Sequence, residues 1–146
     1  MDMSNNLIKS FSNIEIIFGF DFGFKRIGIA FGNTLIKHAK PLKIIHSITN
    51  NAKFNEISKL VENWKPKYFV VGFPSYIDMA HEKHKIAIRC QRFANQLCGR
   101  YSIKTFMINE NYSSIIIKNF RKKYIDSQSA ALILQQYFDE KLYNKI

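Results

Sequence analysis

The sequence predicts an α/β fold built on a mixed five-stranded sheet, three strands antiparallel and two parallel, flanked by helices. Three observations carry that prediction. Short apolar runs rich in Ile and Phe fill the first third of the chain, punctuated by Pro41 and by glycines at 19, 23, 28 and 32, as in strands linked by tight turns. Later segments switch to apolar spacings of three and four, which give a helix one buried face. Two further short apolar runs alternate with those helical segments, as parallel crossovers require.

The elements follow in order. Residues 1–13 are polar and are expected to fray, leaving 14–146 as a single domain. Residues 14–20 form the first strand because they are apolar and Ile- and Phe-rich, and 26–31 form its hairpin partner. A third strand is expected over 42–48, after the breaker Pro41. Phe54, Ile57, Val61 and Trp64 mark one face of a helix over 53–64 that Pro66 stops. The continuous apolar run 68–72 ends in Gly72-Phe73-Pro74 and reads as a strand buried on both faces. A loop carrying Asp78, His81, Glu82 and His84 leads to a helix over 83–99, with Ile86, Cys90, Phe93 and Leu97 inward and Gly99 as its stop. A strand over 103–108 follows, with Glu110 just beyond it. A short helix over 113–120, a basic link at 121–123 and a final helix over 127–142 with Ala130, Leu134, Tyr137 and Phe138 inward complete the chain.

At 146 residues and 47% hydrophobic, the chain can bury one real core. Its net charge of +11, from 22 Lys and Arg against 11 Asp and Glu, is spread along the sequence and favours a polyanionic partner, nucleic acid before membrane surface. A Lys-, Ile-, Asn- and Phe-rich composition also follows from genomic bias, so charge alone does not decide. No stretch approaches the ~20 apolar residues of a membrane span, and no signal-peptide run opens the chain. Cys90 and Cys98 lie in one helical pattern, roughly 12 Å apart along its axis, too far for a mutual disulfide. A reduced, cytoplasmic protein is expected.

Three acids stand where chemistry is expected. Asp21, Glu110 and Asp126 each follow a strand end or open a helix, and in an open α/β sheet such ends converge on one ligand-binding edge. Carboxylates gathered there repel one another unless a divalent cation neutralises them, and hard oxygen donors suit Mg²⁺ or Mn²⁺. Two such ions roughly 3.5 to 4 Å apart support phosphodiester cleavage. Singly, each acid has a structural explanation: Asp126 as the N-cap before Ser127, Asp21 as a turn acceptor, Glu110 as a solvated loop charge. Their common edge favours the metal site. Lys25 and Arg26, directly after the strand end, are placed to hold a scissile phosphate, and Lys85, Arg89 and Arg92 share a helix face that extends a backbone track or is simply solvated. His81 and His84 lack a matching third ligand. Asp21-Phe22-Gly23 has none of the motifs that accompany the kinase tripeptide, and the glycine run lacks the Gly-Lys-Ser/Thr of a phosphate loop.

Over nearly its full length the chain resembles the YqgF family, also called RuvX. The resemblance rests on Asp21-Phe-Gly-Phe-Lys-Arg-Ile-Gly-Ile-Ala30, Val70-Val-Gly-Phe-Pro74, Arg92-Phe-Ala94, Asn109-Glu110 before Ser113-Ser114, and Asp126-Ser-Gln-Ser-Ala130, in the family's order. It implies an RNase H-like fold and a nuclease that processes precursor 16S rRNA at its 5′ end; the family was formerly assigned to Holliday-junction resolution. It also implies that Asp21, Glu110 and Asp126 are the catalytic carboxylates. Three departures stand out: Phe24 replaces a small hydroxyl residue, Asn109-Glu110-Asn111 replaces Asp-Glu-Arg and so loses a phosphate contact, and the segment between Ser114 and Asp126 is short. The expected partner is nucleic acid, precursor rRNA ahead of junction DNA, with the protein a monomer or weak homodimer. A non-catalytic RNA-binding assembly factor is the rival from another class.

Overall fold

The computed structural model describes residues 13–46, 49–74, 81–110 and 127–144. Strands β1 (Ile16–Phe22), β2 (Ile27–Asn33) and β3 (Lys40–Ile45) are followed by α1 (Asn50–Trp64), β4 (Tyr68–Pro74), α2 (His81–Tyr101), β5 (Lys104–Glu110) and α3 (Ser127–Asn144). The strands form one sheet in the order β3-β2-β1-β4-β5. β2 is antiparallel to both its neighbours, and β1, β4 and β5 run parallel. This is the mixed sheet that the sequence predicts.

Alternation along β1 divides the core between two layers. Phe18 and Phe20, with Ile29 and Phe69, face Phe54 and Ile57 of α1 and Phe93 and Leu97 of α2. Ile17, with Ala30, Val70 and Ile108, faces Ala130, Leu134, Tyr137 and Phe138 of α3. The first layer is aromatic, with Phe20 edge-on to Phe69 at 5.3 Å and to Phe93 at 5.6 Å between centroids. Such pairs add about 0.5–1.5 kcal/mol each to the area they bury. Of the inward residues expected, Phe54, Ile57, Cys90, Phe93, Leu97, Ala130, Leu134, Tyr137 and Phe138 are buried, Val61 and Trp64 pack partly buried against the core, and Ile86 is only half-buried.

The second layer depends on a close approach. A Cβ at Gly19 would lie 2.7 Å from the Leu134 Cβ and 3.0 Å from the Ala130 carbonyl oxygen, and one at Gly32 would lie 2.6 Å from the Phe138 ring. Without side chains at these positions α3 can sit directly on β1 and β2. Gly32 is paired with Ile17, and Gly19 lies two residues further along β1. Passing backwards along α3 from Phe138 to Ala130 therefore leads from the start of β1 toward its end, where Asp21 lies.

Several boundaries differ from expectation, each for a local reason. β1 starts two residues later and runs through Phe22, because its pairing with β2 continues to Phe22↔Ile27; Asp21 is within the strand rather than after it. β3 begins before Pro41, which its edge position and the register shift between Ile29 and Ala30 accommodate. α1 begins at Asn50, capped by the Thr49 side chain accepting from the Ala52 N–H at 3.2 Å. It ends where Lys65 adopts φ 50 and donates its N–H to the Val61 carbonyl, just before Pro66. α2 runs through Gly99 to Tyr101, and Ser102, at φ 52, ends it. The backbone of His81, Glu82 and His84 forms the first turn of α2 rather than a loop. The helix expected over 113–120 and the link at 121–123 lie outside the described residues, as do most of the expected frayed N-terminus and Asp126. Cys90 is buried and Cys98 exposed, and neither is in a disulfide. Among the described residues no helix is long and apolar enough to cross a membrane.

Candidate functional site

Asp21 is the penultimate residue of β1, facing Gly28 of β2 on one side and Gly72 of β4 on the other. Neither neighbouring strand therefore contributes a side chain beside it. It is only 7% exposed and is one of three buried polar or charged residues among those described, with Ser129 and Gln136. Ionised carboxylates are rarely this buried without a compensating partner. β1 fixes its position through hydrogen bonding to strands on both sides.

Glu110 is reached through the parallel register. Asp21 pairs with Gly72, Gly72 with Ile108, and Pro74, two residues on, with Glu110. Glu110 thus closes β5 at the same edge of the sheet, two strands from Asp21, as its last residue and not beyond it. Ser127 opens α3, whose first turns approach that edge, and Ser129 is buried there. The backbone places Asp21, Glu110 and the start of α3 toward one edge of the sheet, while Asp126 lies outside the described residues.

The turn after β1 carries the cations. Gly23 donates its N–H to the Arg26 carbonyl at 2.9 Å, and a Cβ at Gly23 would meet that oxygen at 2.8 Å. A glycine is needed to close the hairpin this tightly. The turn thereby presents Phe24, Lys25 and Arg26, all exposed, immediately past the buried acid. Lys85, Arg89 and Arg92 are exposed on α2, and the Arg89 guanidinium lies 5.1 Å from the Phe24 ring centroid. Arg89 is therefore joined to the turn after β1; Lys85 and Arg92 lie one turn to either side of it on the helix.

Sequence reasoning missed Lys53 and Arg100. Lys53 lies 5.5 Å from both the Phe22 and Phe54 centroids and 5.7 Å from that of Phe93, and Arg100 stacks 4.0 Å from Phe54. Burial first, then the charges of Arg89 and Arg100, hold the Lys53 ammonium below the usual lysine range. The convergence joins residues of two helices, for which no linear spacing exists. Arg100 does continue the stripe 85, 89, 92 and 96 at spacings of three and four, and an expected helix stop at Gly99 hid it.

A mixed sheet in the order β3-β2-β1-β4-β5, with helices on both faces, defines the RNase H-like fold class. Solved structures agree on the fold: Thermus thermophilus RuvC in complex with a Holliday junction aligns with TM-score 0.60 at 10% identity, covering 88% of this chain and 96% of that one. The fowlpox virus resolvase bound to junction DNA aligns with TM-score 0.51 at 14% identity, covering 87% and 99%. The family model RuvX, Holliday junction resolvase, matches residues 15–140. Proteins named as candidate pre-16S rRNA nucleases in Paraburkholderia xenovorans and Bordetella parapertussis are each 41% identical to it, over 84% and 86% of this chain and 87% and 94% of theirs. The chain belongs to the RuvX family.

Proposed function

We propose that this protein is a cytoplasmic, divalent-metal-dependent nuclease that hydrolyses phosphodiester bonds in precursor 16S rRNA, trimming its 5′ end, through a single RNase H-like domain spanning 14–146. The observation that carries the reading is Asp21: a 7% exposed carboxylate on the central strand, flanked by glycines and followed at once by a cationic turn. The relatives named for pre-16S rRNA support that choice of substrate.

The donors are all hard oxygens, a set that fits Mg²⁺ or Mn²⁺ and not a softer ion. Asp21, Glu110 and Asp126 would hold the metal, two ions in the arrangement such chemistry uses. A divalent metal held by these residues would supply positive charge to acidify water and to stabilise the leaving oxygen. The chain's own residues position the substrate. Strand pairing on both sides holds Asp21 in place, so little reorganisation is needed when the phosphate arrives. Lys25 and Arg26 grip the scissile phosphate from the rigid turn, and Lys85, Arg89 and Arg92 hold its neighbours along α2.

The test is cleavage of labelled precursor rRNA and of a four-way DNA junction with Mg²⁺ and with Mn²⁺. Asp21→Asn keeps the shape and removes the charge, and is expected to lower cleavage at least about a hundredfold. Cleavage that survives the substitution overturns the assignment. Preference for the junction would instead support the activity in the family model's description, which requires two symmetry-related cuts and hence a dimer.

A further inference from the structure

The turn between β1 and β2 carries a side chain that the proposed chemistry does not use. Phe24 is 54% exposed, although phenyl rings are among the side chains most often buried. It lies three residues past Asp21, beside Lys25, with the Arg89 guanidinium 5.1 Å from its ring centroid. From there a run of cations, seated on the rims of core rings, continues over the α1–α2 side of the molecule. Phe22 packs 5.1 Å from Phe93, Lys53 lies over both rings, and Arg100 lies 4.0 Å from Phe54.

Among the described residues, none of these cations is joined to an acid in an ion pair. The ion pair found among the described residues is Lys43 with Glu56, at 3.5 Å, and none of Arg89, Lys53 and Arg100 takes part in it. Burial and mutual repulsion pull the Lys53 ammonium below its usual range. Cations gathered this closely repel one another, and phosphates laid along them would relieve that. The exposed ring adds the second half of the pattern. A duplex keeps its base faces stacked inside, whereas an unpaired strand offers a π-face on every nucleotide together with its backbone charge. An open aromatic face beside a run of cations fits the unpaired strand.

We propose that Phe24, backed by Arg89, is a stacking platform for an unpaired base next to the cleaved bond, with Lys53 and Arg100 carrying the same strand's backbone away over the α1–α2 side. Its place beside the cleaved bond rests on the nuclease reading above; its binding chemistry does not. The ligand is a single-stranded polynucleotide, held without regard to base identity because every base can stack. In this arrangement the substrate crosses the sheet edge: acids act on it at the edge, and the flanking strand lies toward α2.

The experiment measures binding by the intact protein in EDTA, where cleavage plays no part. A labelled RNA of about 12 nucleotides, within the site sizes such strands occupy, is titrated both alone and annealed to its complement. Phe24→Leu is expected to weaken single-strand binding about 5- to 150-fold, the range for one lost base stack, with duplex binding changed less than about twofold. Phe24→Trp, which restores a ring, is expected to bind the single strand as the wild type does. Equal loss on both ligands, no loss on either, or loss with Phe24→Trp as large as with Phe24→Leu overturns the platform. Lys53→Met and Arg100→Gln are each expected to lower the slope of log affinity against log salt by about 0.7, and an unchanged slope overturns the backbone path. Wild type that prefers the single strand yet never cleaves overturns the nuclease reading alone. Cleavage with no single-strand effect at Phe24 overturns this subsite alone.

Discussion

Lys53 shows how one side chain can oppose stability and serve binding. Its stem lies against Phe22, Phe54 and Phe93, while its ammonium is partly desolvated beside Arg89 and Arg100. Its pKa in the folded protein is below the unfolded value of 10.5, so between the two values the unfolded chain binds more protons. The destabilisation is therefore fully present at neutral pH and is relieved as pH rises through the lowered pKa. Lys53→Met keeps the apolar stem and removes the charge. Because the ammonium is largely solvated, a fraction of a kcal/mol is at stake, and the thermal midpoint of the free protein is expected to rise about 1 to 3 °C at pH 7. Above pH 10.5 the advantage should vanish. A scanning calorimetry series in which Lys53→Met melts at or below the wild-type temperature at pH 7 contradicts this account.

At the scale of elements, two glycines that look alike in sequence have opposite consequences. Gly19 is covered by α3, and an added methyl would sit 2.7 Å from the Leu134 Cβ and against the Ala130 carbonyl oxygen. Gly19→Ala must push α3 off the sheet, at about 1–3 kcal/mol, as overpacked cores do. Gly99 lies inside α2 with nothing within 4 Å of its would-be Cβ and without a positive φ. Gly99→Ala is expected to stabilise the protein by about 0.5–1 kcal/mol. Urea unfolding of the two variants checks both signs, and a destabilised Gly99→Ala would show that α2 is not helical there. The same contrast explains what the sequence revealed. The inward residues Phe54, Ile57, Cys90, Phe93, Leu97, Ala130 and Leu134 were legible because burial imposes helical period. The ends at 22, 40 and 101 were not, because partner strands and a left-handed Ser102 decide them. Asp21 was legible because an acid within an apolar run is conspicuous. Lys53 beside Arg89 and Arg100 was not, because only the packing of α1 beside α2 makes them neighbours.

For the molecule as a whole, the question is whether its charge of +11 acts as a diffuse attraction or as a track. Both draw in a polyanion. They differ in which cations set the salt dependence, because only those neutralising phosphate in the complex release counterions. If the track is Lys25, Arg26, Lys85, Arg89 and Arg92 extended by Lys53 and Arg100, the single-strand slope is about −5, from about −0.7 for each contact. Lys104 and Lys141 provide the control. They lie 5.3 and 5.6 Å from the Phe106 ring centroid, beside Tyr68 and Tyr137 near the start of β5 and the last turns of α3, whereas the acidic edge is at the other end of β5. A cavity of about 380 Å³ lies between these lysines, lined also by Lys37. Replacing Lys104 and Lys141 by Gln removes as much net charge as replacing Arg89 and Lys53, yet it is expected to leave the slope unchanged and to reduce affinity less than about threefold at 0.15 M salt, where a Debye length of about 8 Å screens the distant edge. Replacing Arg89 and Lys53 by Gln should lower the slope by about 1.4. Equal slopes in the two double variants would mean that the whole basic surface attracts nucleic acid and that no track leads from the edge at Asp21.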